Sequence, residues 1–113
     1  MLNDIERKRA ENVIARLLKP RHSPHVKSGG DVLYRVVDQA IEVYSARPAY
    51  DDPDEIIEIP IAKFRYVRTR RVWLLFWLRA SGKWQGYGPL LEAEDLPELV
   101  EEVWRDPYCC FWG

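Results

Sequence analysis

Cysteine is nearly absent from this chain of 113 residues: Cys109 and Cys110 are the only two, and they are adjacent. Neighbouring cysteines pair only in a strained small ring, so they cannot staple a fold. A reducing cytosol is the natural compartment for such a chain. Long apolar runs are also missing. The longest is Val72–Leu78, closed by Arg79, far short of the ~18 residues that mark a membrane span. The charges of Met1–Arg9 are followed by no apolar stretch, so the start does not read as a signal peptide. An excess of one charge is lacking as well. Seventeen basic against eighteen acidic residues leave a net charge of −1, which excludes a uniformly basic nucleic-acid coat but not a local patch. There is no phosphate loop, no Gly-x-Ser-x-Gly elbow and no dinucleotide fingerprint, and no repeat or low-complexity tract.

What is present suits a globular chain. Apolar residues make up 47% and charged residues 31%, and the length predicts a single domain over residues 1–113. Five Trp and six Tyr are many for this size. Large aromatics let a small domain bury enough area to fold without disulfides or metal.

The spacing predicts a helix at the start. Asn3 caps it and Glu6 completes a capping box. Ala10, Val13, Ile14, Leu17 and Leu18 form one apolar face, and Lys19-Pro20 stops it. Pro20, Pro24, Gly29 and Gly30 mark residues 20–30 as a loop. Strands are predicted over Asp31–Val37 and Ile41–Arg47, with Asp38-Gln39-Ala40 as the turn. After an acidic loop comes Ile56–Val67, interrupted at Pro60, which marks an edge, a bulge or a strand start. Arg68–Arg71 reads as a polar turn and Val72–Ala80 as the fourth strand. Ser81-Gly82 reads as a two-residue hairpin turn into Lys83–Tyr87. A last helix begins at Asp95, with Glu98 in a capping-box position, and ends at Asp106-Pro107. The tail Tyr108–Gly113 is apolar enough to pack on the sheet. The sum is an α+β chain: a five-stranded antiparallel meander with an N-terminal and a C-terminal helix.

The fourth strand is apolar on both sides. Val72, Leu74, Phe76 and Leu78 point one way and Trp73, Leu75 and Trp77 the other. Two helices cover one face; the tail, sheet coiling or a second subunit must cover the other.

Several stretches together form a recognisable pattern: Pro60-Ile-Ala-Lys-Phe-Arg-Tyr-Val-Arg68, Val72-Trp73, Phe76-Trp77-x-Arg79-Ala80, Lys83-Trp84 and Asp106-Pro107-Tyr108-x-Cys110-Phe111-x-Gly113, with Arg47-Pro48 before the acidic loop. The chain resembles the small bacterial proteins grouped as domain of unknown function 3024. The resemblance runs over essentially the whole chain, most strongly over residues 42–113. It implies a bacterial, cytosolic protein and no particular activity. The pattern usually has His after the Lys-Trp pair, where this chain has Gln85, and Asp-Leu where this chain has Ser81-Gly82. If the family uses a histidine there for catalysis, this chain lacks it.

The sharpest chemical signal is Lys63, Arg65, Arg68, Arg70 and Arg71, five cations in nine residues with no acid among them. With Tyr66 and Trp73 nearby they suit a single-stranded nucleic-acid platform. The plainer readings are a strand edge guarded by charge, or pairing with acids elsewhere; residues 51–58 hold five acids and residues 92–106 seven. Asp51, Asp52, Asp54 and Glu55 offer oxygen ligands to a hard cation but lack an EF-hand pattern; a solvated loop is the simpler account. Glu42, Glu58 and Lys63 resemble the parts of a metal-dependent nuclease, without the close acid-x-Lys spacing. His22 and His25 lie in a loop far from the cysteines, too few for zinc. Both cysteines read as small core residues.

The reading that results is a non-enzymatic binding domain with no catalytic set, no metal and no cofactor. Its candidate surface joins Arg47, Lys63, Arg65, Arg79 and Lys83 with Trp73, Trp77, Trp84 and Tyr87. Such a surface suits an anionic partner: a nucleic acid, a nucleotide or an acidic protein segment. No membrane is involved, and a homodimer through the second apolar face is compatible. Single-stranded nucleic-acid binding and a metal-dependent nuclease-like hydrolase are the alternatives.

Overall fold

A computed structural model describes residues 2–18 and 31–112. Helix α1 (Asp4–Ile14) opens on the predicted capping box: the Asn3 side chain accepts from the Glu6 amide at 2.8 Å, and Glu6 Oε1 accepts from the Asn3 amide at 3.0 Å. It tightens into a 3-10 turn at Ala15–Leu18. Ala10, Ile14 and Leu17 are its buried residues. The predicted stop at Lys19-Pro20, and His22 and His25, lie outside the described residues.

The sheet follows as β1 (Asp31–Val37), β2 (Ala40–Pro48), β3 (Ile56–Val67), β4 (Val72–Leu78), β5 (Trp84–Gly86) and β6 (Glu92–Ala93), before helix α2 (Leu96–Arg105). All pairings are antiparallel, and the first five strands lie in chain order. The short β6 was not foreseen; it pairs with β4 beyond β5. The architecture is thus the expected α+β meander between terminal helices.

Turn chemistry fixes the joints. The β1–β2 link is Asp38-Gln39, with Asp38 at φ 53; Ala40, assigned to the turn above, already pairs with Val37. The β4–β5 turn is longer than the predicted two residues. The Arg79 amide bonds the Lys83 carbonyl at 2.9 Å, the Gly82 amide returns to Arg79 at 2.8 Å, and Gly82 holds φ +85. A turn followed by a left-handed glycine is the next shortest hairpin solution.

Beside Pro60 the β2–β3 register shifts between Val43 and Tyr44, leaving Ile61 as the extra residue of a bulge. Ile61 and Ala62 are buried consecutively, as the doubled residues of a bulge face one way. Beyond it, Tyr44–Pro48 and Ile56–Pro60 run on as a ribbon that β4 does not pair with.

Helix α2 buries Leu96, Leu99, Val100 and Val103. Its predicted capping box does not form: the Asp95 side chain caps nothing, and the Glu98 amide bonds the Asp95 carbonyl at 3.2 Å. Pro97 at the second helical position has no amide to offer, and the donor a capping box uses is the Glu98 amide. The helix ends at Asp106 in the left-handed region, φ 46. Buried Asp106 accepts from the Phe111 amide at 3.1 Å and the Trp112 amide at 2.8 Å, and Trp112 Nε1 donates to the Val103 carbonyl at 2.7 Å. The tail therefore folds back against α2, with Phe111 5.0 Å from the Tyr87 ring. Cys109 is exposed, against the reading of both cysteines as core; Cys110 is half-buried, and burial pushes its thiol up.

Candidate functional site on the uncovered face of the sheet

Alternation divides the sheet into two surfaces. One side carries Ile41, Val43, Ala62, Phe64, Trp73 and Leu75, which with Ile14, Leu17, Leu99 and Val103 form the buried cluster. The tail adds Phe111 and Trp112 to this same side. The opposite side carries Leu33, Arg35 and Val37 from β1; Glu42 and Tyr44 from β2; Glu58, Pro60, Lys63 and Arg65 from β3; Leu74, Phe76 and Leu78 from β4; and Trp84 from β5. None of these joins the buried cluster. Of the candidate covers named from the sequence, helices and tail both go to the first face.

Register sets the geometry of the bare face. One row across the strands reads Arg35, Glu42, Lys63, Phe76, Gly86; the next reads Val37, Ala40, Arg65, Leu74, Glu92. Lys63 Nζ lies 5.7 Å from the Phe76 ring centre, and the Arg35 guanidinium 4.2 Å from that of Tyr44. Arg35 also donates to Glu58 at 2.8 Å. Leu33 and Val37 are exposed, and Leu74, Phe76, Leu78 and Trp84 are half-buried. The result is an apolar strip crossed by charges of both signs.

The candidate residues named from sequence divide between the two sides. Lys63, Arg65 and Trp84 stand on the bare face. Trp73 and Tyr87 do not: they are 7% and 1% exposed, in the helix-side core. Trp73 takes the parity opposite to Leu74, and its ring packs tilted against that of Tyr66, centres 5.0 Å apart. Tyr87 lies beyond β5, where alternation gives no guide. Its hydroxyl donates to Glu102 at 2.8 Å, and burial together with that bond raises its pKa. Trp77 is half-buried against the core. Arg47 is exposed near the far end of β2, opposite Ile57, and Arg79 and Lys83 flank the β4–β5 turn. The nine residues thus do not form one surface. Sequence reasoning misses Arg35, Tyr44, Leu74, Phe76 and Leu78 as members of this face; their signal is parity with Lys63 and Arg65 once strands are paired.

The basic run is partly spoken for. Arg68 binds Glu6 at 2.6 Å, holding that carboxyl below its usual range, and Arg70 grips both oxygens of Glu92 at 2.9 and 2.8 Å. Pairing with distant acids is therefore what the structure shows for these two. Glu42, Glu58 and Lys63 share the bare face, but Arg35 holds Glu58. Among the described residues no group of three or more His, Cys, Asp or Glu is placed to hold a metal. A separate groove of about 470 Å³ runs between α1 and the start of α2, lined by Arg9, Tyr66, Trp73, Glu94 and Asp95 among others. No described helix is long and apolar enough to cross a membrane.

Fold and site define a class: a two-layer α+β chain with helices on one side of a meander and an uncovered, mixed-charge apolar face on the other. Its sequence places it more narrowly. The family model described as Domain of unknown function (DUF3024) matches residues 2–113, and the chain belongs to that family. No curated protein and no solved structure matches it.

Proposed function

We propose that the chain is a single-domain, non-enzymatic interaction module of the bacterial cytosol, and that its bare sheet face docks an acidic, partly apolar protein segment. The observation that carries this is the strip Leu74, Phe76, Leu78 and Trp84 beside Lys63 and Arg65. Neither cation makes an ion pair among the described residues. An apolar strip supplies the area, and unpaired cations at its side supply the selection for a negative partner. A nucleic-acid chain fits less well. Glu42 stands directly opposite Lys63, and phosphate binding draws its affinity from several uncompensated cations.

The test is a titration of fluorescent acidic-apolar peptides and of single-stranded oligonucleotides, at about 50 and 200 mM salt. Saturable peptide binding that Phe76→Glu and Arg65→Glu each weaken at least tenfold supports the reading. Tighter oligonucleotide binding, with a log–log salt slope steeper than about −1.4 (two phosphates at ~0.7 each), replaces it with a nucleic-acid site. No binding of either by the chain in its monomeric form overturns it.

A further inference from the structure

Strand β3 is electrically polar from end to end. The loop before it holds Asp51, Asp52, Asp54 and Glu55, all exposed. The other end and the turn after it hold Arg65 and Arg71, exposed too. Among the described residues none of these six makes an ion pair. With 12 residues in β3, the two clusters lie about 40 Å apart at ~3.4 Å per residue. The bare side of β2 and β3 spans the distance between them, with Ile56 at the acidic end 59% exposed on it, and the apolar strip of β4 flanks its basic half.

We infer that the acidic segment docked by this face is the β2–β3 loop of a second copy of the chain, an inference that rests on the reading above. A two-fold axis running across the strands, midway along β3 and between two stacked sheets, reverses one β3 over the other. Each acidic loop then lies over the partner's basic β3–β4 turn, twice per dimer, and the bare sides of β1, β2 and β3 cover their counterparts. This is a closed, isologous contact, in which a patch meets itself in reverse. Its size is that of a weak, salt-sensitive association: the 7, 9 and 12 residues of β1, β2 and β3, at ~3.4 Å rise and ~4.8 Å spacing, give on the order of 450 Å² per copy. Like-to-like stacking in the same direction would set acid on acid and base on base, so charge selects the antiparallel arrangement. The ribbon beyond the bulge, which carries the acidic loop and which β4 leaves unpaired, gains a partner by the same step.

Light scattering after size exclusion, at micromolar concentration and low salt, tests this directly. The native chain is expected at twice the 13.4 kDa of one copy. Two variants separate the charges: Asp51→Lys, Asp52→Lys, Asp54→Lys and Glu55→Lys in the loop, and Arg65→Glu with Arg71→Asp at the other end. Each alone is expected to be monomeric, with an unchanged circular dichroism spectrum. An equimolar mixture is expected to recover the dimer, because each reversed cluster meets its complement. A mixture that stays monomeric overturns the antiparallel contact, as does a dimer that both variants leave intact. A native chain that is monomeric up to about 100 μM also overturns it. If that monomer still binds the acidic peptides, the proposed function survives; if it binds none, both fall.

Discussion

Leu74 and Leu75 are neighbours in β4 and meet opposite surroundings. Leu75 is 0% exposed beneath the helices, while Leu74 is half-buried beside Arg65 on the side nothing described covers. The chemistry of the two side chains is identical, so what separates them is the layer each faces. The covered face gathers its polar groups into closed pairs: Tyr87 with Glu102, Tyr34 with Glu11, Asp106 with two tail amides. The bare face leaves Lys63 and Arg65 without carboxylates. A face that folding has finished satisfies its polar groups; on the other, Arg35 holds Glu58 while those two cations find no acid.

The comparison can be broken by mutation, and the largest effect belongs to the covered side. Leu75→Ala is expected to cost about 2–5 kcal/mol in urea unfolding through transfer loss and a cavity. Leu74→Ala in the monomeric charge variant should cost under about 1 kcal/mol; equal losses would mean that the bare face is packed in the monomer. Asp106→Ala comes next. It strands two amides near the tail and is expected to cost about 1–3 kcal/mol, with Trp112 emission shifting to longer wavelength. Titration sharpens the contrast further. Burial and the Glu102 bond raise the folded pKa of Tyr87 above 10.0, so its contribution is whole below pH 10 and lost as pH rises through the folded value. Tyr87→Phe should flatten the alkaline limb of the stability curve. On the acid side, Arg68 lowers the folded pKa of Glu6, and Tyr34 that of Glu11. Their contributions are present above pH 4.5 and fade as pH falls through the lowered values. Glu6→Gln should reduce that acid sensitivity slightly, since the pair is surface-exposed.

Much of the fold is legible in the sequence. The bounds of β1 and β3, the capping box of α1 and the two-sided nature of β4 follow from local rules of period and capping. Less legible was the site. Trp73 and Trp77 looked like partners of Lys63 and Arg65 because they are close in sequence, yet parity sends them to the opposite layer. Tyr87 follows β5 and escapes alternation altogether. Which side of β4 the helices take is a tertiary choice that no residue of β4 reveals. The failed cap at Asp95 shows the converse: the capping pattern is present in the sequence, yet the Glu98 amide turns to the Asp95 carbonyl.

The order of the strands carries a consequence for how the chain folds. Each of the first five is hydrogen-bonded to its neighbour in sequence, so the meander grows hairpin by hairpin, with little chain to close at each step. The helices are different. α1 and α2 come from opposite ends of the chain, yet Ile14 and Leu99 share one cluster. Their meeting is the long-range event. Substitutions at Ile14 or Leu99 should therefore accelerate unfolding while leaving the refolding rate nearly unchanged, whereas damage to the Asp38-Gln39 turn should slow refolding itself.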